Sequence, residues 1–260
     1  MNNVPTTEDA FLSPPKVPRV RYHRNFIKNA VCELRFPTLL ELESKPPKDF
    51  QAKLRKLYPH YESQLLETLG GPDSLPSAVQ PRYLFKSKKK DWTVSLTSSS
   101  FSLETSAYTD FEEFISRISF VIECAKDLID SDFFTRVGLR YINTVPMPFE
   151  DGSPKDWINP ELVQPVIGDV LCVVFSSATV YQGVHEHGLF TMRHGFKMDG
   201  NNSKETGVVN YTLDFDYFQE NVEEINVLEL LRNFNETNFY LFSWCIGEKA
   251  RELLGESKPK

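Results

Sequence analysis

The chain has 260 residues, a formal net charge of −7, 40% hydrophobic and 25% charged residues, which is ordinary globular usage in a chain long enough for a substantial core. A chain of this sign is repelled as a whole by nucleic acid and by anionic membrane, which excludes bulk electrostatic binding of either and leaves only a local basic patch to consider. Aromatic residues reach 13%, with 20 Phe, and promise an interior filled by rings.

Residues 1–18 hold Pro5, Pro14, Pro15 and Pro18 among polar residues, which predicts a flexible arm with Phe11 and Leu12 as its only strong anchors. A first unit, 19–131, opens with a strand over 28–36, where Ala30, Cys32, Leu34 and Phe36 alternate with Val31, Glu33 and Arg35. A helix follows Pro46-Pro47 and carries Phe50, Leu54 and Leu57 at i, i+4 and i+7. Tyr61, Leu65, Leu66 and Leu69 extend that helical material until Gly70-Gly71. Strands are expected at 82–86, 91–97 and 101–105, with Trp92, Val94 and Leu96 on one side of the middle strand and a polar hairpin tip at 87–90. The unit closes on a helix. Thr109 and Glu112 have capping-box spacing, and Phe111, Phe114, Ile115, Ile118, Val121, Ile122, Ala125, Leu128 and Ile129 trace one stripe.

A second unit, 132–255, repeats the order. Its strand over 135–145 places Val137, Leu139 and Tyr141 on one face, and Asn159-Pro160 starts a short helix with an N-cap and a proline at the first position. Strands are expected at 170–182, 188–197 and 208–218, with a polar loop over 198–206 that holds Asp199-Gly200-Asn201-Asn202. In the last strand Val209, Tyr211, Leu213, Phe215 and Tyr217 face one way, while Asn210, Thr212, Asp214 and Asp216 face the other. A helix runs from Asn226, with Glu229 completing a second capping box, to Gly255, and a break is expected within 233–238. Residues 256–260 form a tail.

Two phrases tie the units together. Leu34-Arg35-Phe36 followed by Pro47-Lys48-Asp49-Phe50 matches Leu139-Arg140-Tyr141 followed by Pro154-Lys155-Asp156-Trp157. Matching phrase, spacing and element order favour duplication over chance. The expected fold class is α+β: internally duplicated β-α-β-β-β-α units forming a curved, mainly antiparallel sheet with the long helices on one face.

Cys32, Cys124, Cys172 and Cys245 lie far apart without CxxC or metal-ligand spacing, so buried free thiols are expected rather than disulfides or redox centres. No basic stretch leads into an apolar segment at the start, and no apolar run approaches the ~20 residues that span a bilayer. A cytoplasmic protein with no membrane contact is the expectation.

Asp214 and Asp216, at i and i+2 of a strand, point to one face, and Glu104 holds the comparable place in the first unit. Such carboxylates can bind Mg²⁺ or act as an acid/base pair, but an ordinary solvated strand face is favoured. His185-Glu186-His187, near His194, lacks HExxH spacing or a cysteine partner, and a surface turn is favoured over a metal site. Arg140, Tyr141 and Asn143 form the strongest constellation, with Arg35 in the parallel place. An arginine on a strand can hold a carboxylate or phosphate bidentately, or pair structurally with an acid across the sheet. The structural role is favoured because the position occurs twice. Lys86, Lys88, Lys89 and Lys90 make a basic tip near Tyr83, Phe85 and Trp92, and a solvated turn is the default over nucleic-acid contact. No phosphate loop, GxSxG or Cys/His nucleophile motif is present, so no catalytic residue, metal ligand or cofactor is assigned.

Several segments together resemble an uncharacterised prokaryotic family found sporadically in bacteria and archaea. They are Ala30-Val31-Cys32-Glu33-Leu34-Arg35-Phe36, Val94-Ser95-Leu96-Thr97, Leu103-Glu104-Thr105, Tyr108 with Phe111 and Phe114, Gly138-Leu139-Arg140-Tyr141-Ile142-Asn143, and Leu213-Asp214-Phe215-Asp216. The resemblance spans 22–254. It departs at Phe111, where the family pattern has Trp. It carries over no catalytic residues, and its patchy distribution implies mobile defence or toxin–antitoxin loci.

The expected function is therefore a non-catalytic protein-binding component of such a system, with a toxin or defence effector, or a second copy of the chain, as partner. The alternative is a nucleotide- or nucleic-acid-binding sensor or metal-dependent hydrolase. In that case Arg35 and Arg140 would hold phosphate, Asp214, Asp216 or Glu104 would hold a divalent ion, and Tyr141 and Asn143 would flank the site. Nucleic acid is the less favoured partner.

Overall fold

The computed structural model describes residues 12–67, 79–148, 153–167, 176–197 and 208–255. The expectations for 1–11, Leu69 to Gly71, Cys172, the loop 198–206 and the tail lie outside the described residues. The chain forms β1 (Ile27–Arg35), α1 (Glu41–Ser44), α2 (Lys48–Leu54), β2 (His60–Glu67), β3 (Val79–Lys86), β4 (Trp92–Leu96), β5 (Ser100–Thr105) and α3 (Phe111–Ile129). It continues with β6 (Phe133–Pro148), α4 (Pro154–Trp157), α5 (Pro160–Ile167), β7 (Ser176–His185), β8 (Gly188–Lys197), β9 (Val208–Glu223), α6 (Val227–Cys245) and α7 (Glu248–Leu254). This is an α+β fold on a nine-stranded sheet ordered β2-β3-β4-β5-β1-β6-β9-β8-β7. The hairpins β2-β3, β3-β4, β4-β5 and β7-β8, and the pair β1-β5, are antiparallel. None of the described helices is long and apolar enough to cross a membrane.

Two compact units emerge, and β1, β6, β9 and α6 each contribute residues to both. One comprises the described residues within Asn29–Leu139 and Phe218–Leu231. Its core follows strand alternation: Ala30, Cys32, Leu34 and Phe36 are buried from β1 and the residue after it, and Trp92, Val94 and Leu96 from β4. Phe114 of α3 lies 5.9 Å from the Trp92 ring, and Phe50 of α2 meets Phe85 edge-on at 5.5 Å. The α3 cap sits one residue later than its sequence signature. Asp110 accepts from the Glu113 N–H at 2.8 Å, while the Thr109 hydroxyl donates to the Glu113 side chain at 2.6 Å. Asp130 ends the helix in the left-handed region at φ 45°, and its N–H returns to the Lys126 carbonyl.

One helical expectation is overturned here. Residues 60–67 form β2, paired with β3 from His60↔Lys86 to Glu67↔Val79. Tyr61 and Leu65, read as a helical stripe, are exposed on this strand. Cross-strand hydrogen bonding overrides a spacing that fits i, i+4 as well as it fits a strand.

The other unit comprises the described residues within Met1–Lys28, Arg140–Tyr217 and Arg232–Lys260. Its core takes Tyr141 and Val145 from β6 and Val209, Tyr211, Leu213, Phe215 and Tyr217 from β9. Phe234 of α6 packs 6.0 Å from Tyr217, so α6 lies on the face carrying the odd-numbered β9 residues. The break expected within 233–238 is absent: α6 is continuous to Cys245, and the chain turns at Ile246-Gly247 instead. The connection between α4 and α5 fixes that corner. Gly247 N–H donates to the Trp157 carbonyl at 2.7 Å, Asn159 N–H to the Cys245 carbonyl at 2.8 Å, and Ile158 bridges Ile246. A Cβ at Gly247 would sit 2.3 Å from the Asp156 carbonyl oxygen, so only glycine fits there.

Candidate functional site

The face of the sheet opposite α6 holds the best-defined polar cluster. β9 alternation turns Asp214 away from the Leu213 and Phe215 side, and β6 alternation does the same for Arg140. Arg140 grips Asp214 bidentately, Nε to Oδ1 at 2.8 Å and Nη2 to Oδ2 at 2.7 Å. Arg193 of β8 adds Nη1 at 3.8 Å from Oδ2. The Asp214 side chain is only 6% exposed, against 40% for Arg140 and 45% for Arg193. Both carboxylate oxygens are thus committed to guanidinium groups, the pairing that makes a buried carboxylate tolerable. Asp214 cannot serve as a free divalent-ion ligand while that fork is closed. Asp216 is half-buried two residues on. Among the described residues no three His, Cys, Asp or Glu side chains gather as a metal-binding group.

The other members of the constellation point elsewhere. Tyr141 faces α6, where its hydroxyl donates to Asn235 Oδ1 at 3.1 Å. Asn143 is buried and donates from Nδ2 to the Leu213 carbonyl at 3.3 Å. Both therefore hold β6 to its neighbours rather than facing a ligand alongside Arg140. Arg35 differs from Arg140. Its β5 partner position is Ser100, and its Nε pairs with Glu33 of its own strand. Glu104 accepts a 2.6 Å bond from Asn29 Nδ2.

The histidines depart from the surface turn expected of them. Only Glu186 and His187 form the turn, and His185 is buried. Its Nδ1 accepts from the His187 N–H at 3.1 Å, so the ring proton sits on Nε2, 3.0 Å from Thr237 Oγ1. Burial, then the neighbouring His187, lowers its pKa to about 4. His194 is also buried, 2.7 Å from the Tyr211 hydroxyl, and burial lowers its pKa as well. Asn235, Thr237 and Asn238 line the inner side of α6 with Leu231, Phe234 and Leu241. Their polarity suggested a helix break. In the fold they form a seam against Tyr141 and His185, and a polar side chain at a core-facing helix position was the available signal.

The basic tip is a surface turn. Lys88 and Lys89 are exposed, and Lys86 pairs with Glu62 at 2.6 Å. Tyr83, Phe85 and Trp92 are buried, so they offer no stacking platform to nucleic-acid bases. Cys32, Cys124 and Cys245 are buried free thiols. Arg136 and Arg193 escaped the sequence reading because neither belongs to a repeated phrase. Arg136 lies with its guanidinium 4.4 Å from the Phe218 ring centre and Nη1 3.7 Å from Glu33. Comparison with models of known protein families gives no match, and no curated protein matches the chain.

Proposed function

We propose that the chain is a non-catalytic protein-binding component built on an internally duplicated α+β scaffold. Duplication is supported by the sheet order. With β2 set aside, β3-β4-β5-β1 is mirrored by β6-β9-β8-β7, first strands innermost and next to last strands. A helix of 19 residues follows the final strand of each half. Phe114 packs on Trp92 in one unit and Phe234 on Tyr217 in the other, so each long helix covers apolar strand residues of its own unit. The repeated phrases do equal work at their apolar positions, since Leu34, Phe36 and Phe50 are buried, as are Leu139, Tyr141 and Trp157. The arginines have different partners, Asp214 of β9 for Arg140 and Glu33 of its own strand for Arg35.

The observation that carries binding is the β7-β8 ribbon. On the face shared with Arg140 and Arg193, Val180 (56% exposed), Val184 and Leu189 (40%) stand in solvent. Register places Val184 opposite Leu189 and Val180 opposite Arg193. Exposed aliphatic side chains beside partly exposed arginines suit a protein partner better than a metal-dependent reaction. A cytoplasmic setting agrees with buried free thiols, and the partner class implied by the family resemblance is a toxin or defence effector. Affinity purification from the native host should yield a stoichiometric protein partner. Leu189→Glu with Arg193→Glu should lose that partner while the unfolding curve stays close to wild type. A chain that purifies without any stoichiometric partner, or one whose partner ignores both substitutions, overturns the proposal.

A further inference from the structure

β9 passes into α6 through a corner whose backbone is held on both sides. Val222 and Val227 are buried, and the Glu224 N–H donates to the Asp132 carbonyl at 2.7 Å. Lys126 of α3 holds the Glu224 carboxylate at 3.1 Å. Between the two valines a 3₁₀ turn, Glu224–Asn226, carries Ile225 outward at 86% exposure. Leu228, three residues on and so on the same side of the chain, is exposed too, as is Phe133, which follows Asp132. Single exposed apolar side chains are ordinary, but three at one anchored corner form a patch. Its surroundings are acidic: residues 123–133 and 223–229 hold seven acids and one lysine. Asp127 is matched by Lys53 at 2.6 Å, and Lys126 spans Glu123 and Glu224. Asp130, Asp132, Glu223 and Glu229 are exposed and have no cation partner among the described residues.

We infer that this corner is a docking surface for a cationic amphipathic segment of a partner protein. The segment's apolar side chains seat on Ile225, Leu228 and Phe133, while its Lys or Arg residues face Asp130, Asp132, Glu223 and Glu229. Charge decides the occupant. The acidic rim repels nucleic acid and anionic membrane, and a chain of net charge −7 is repelled by its own copy. Among the described residues these acids do not gather as a metal-binding group, so they act as a rim around the apolar patch rather than as a cation cage. The corner belongs to the unit that does not carry the β7-β8 ribbon. Its sign is opposite to that of Arg140 and Arg193, so it takes a segment of different chemistry from one that suits the ribbon.

Fluorescence anisotropy of the full chain with a labelled peptide of about 15 leucines and lysines at helical spacing tests this. The peptide should bind with micromolar affinity that weakens severalfold as salt rises from about 0.05 to about 0.3 M. A peptide of the same composition with its leucines spread around the helix should bind about tenfold more weakly. Ile225→Ser, at a site too exposed to move the unfolding midpoint, should weaken binding about fivefold or more. Glu223→Gln with Glu229→Gln should weaken it severalfold and flatten the salt dependence. Leu189→Ser on the β7-β8 ribbon should leave it unchanged. A wild-type chain that does not bind the peptide, equal affinity for the two peptides, or full affinity in Ile225→Ser overturns the inference. Binding lost through Leu189→Ser also overturns it, moving the peptide to the ribbon and leaving the proposed function standing. So does a wild-type mass above one chain in sedimentation that Ile225→Ser returns to 30.0 kDa, since the corner then belongs to a second copy.

Discussion

Acidification should destabilise the fold through His185 by an amount that can be isolated. The neutral ring is fully used: Nδ1 accepts from the His187 N–H, and Nε2–H donates to Thr237 Oγ1, whose hydroxyl donates to the Asn233 carbonyl at 3.1 Å. A second proton must go on Nδ1, directly against the His187 N–H, in a buried site that already disfavours charge. The folded-state pKa of about 4 lies below the ordinary 6.5, so the unfolded chain takes up the proton first as pH falls. Stability from this group is complete above pH 6.5, declines between 6.5 and about 4, and is fully lost below that. The distance from 6.5 to 4 corresponds to about 3 kcal/mol. Against a typical 5–15 kcal/mol for a domain, that is a shift of about 1 M or more in the urea midpoint. Urea unfolding of wild type and His185→Gln at pH 7.5, 6, 5 and 4, followed by tryptophan fluorescence, separates this contribution from that of His194 and the carboxylates, which both proteins share. The wild-type profile should fall about 3 kcal/mol further than the variant's. Parallel profiles would refute the assigned tautomer and its energetic role.

Arg140→Ala should cost about 3 kcal/mol, the lower end for breaking a buried pair, because Arg140 is partly screened by solvent and Arg193 remains near Asp214. Arg140→Met with Asp214→Leu should restore most of that in chemical denaturation, and failure to do so would give the pair a role beyond mutual neutralisation. Gly247→Ala should lower stability by about 2 kcal/mol or more, since its Cβ would meet the Asp156 backbone. Gly138→Ala, which meets only the flexible end of Arg136, should cost less in the same thermal melt, and equal losses would show that the α6-α7 corner does not depend on close approach.

Strand alternation made much of the fold legible. Ala30, Cys32, Leu34 and Phe36, or Val209 through Tyr217, could bury one side only as strands, and both do. The same logic put Asp214 and Arg140 away from the core. It did not pair them, because two residues 74 positions apart meet only through sheet order. Periodicity misled where it was ambiguous or where polarity was taken for exposure. Tyr61 and Leu65 fit a helix and a strand alike until β3 supplied hydrogen bonds along the whole of β2. Asn235, Thr237 and Asn238 suggested a break because their partners, Tyr141 and His185 among them, are remote in sequence.

What the amino-acid order determined by itself was local: which side of each strand is apolar and where the long helices begin. Tertiary structure decided the rest. It gave Arg140 an aspartate across the strands, turned His185 inward, moved the helix corner to Gly247, and put β7 at the end of the described sheet. The physical reason is one of range. Backbone propensity and alternation act over a few residues, whereas charge neutralisation, buried hydrogen bonding and edge exposure depend on which distant strands become neighbours.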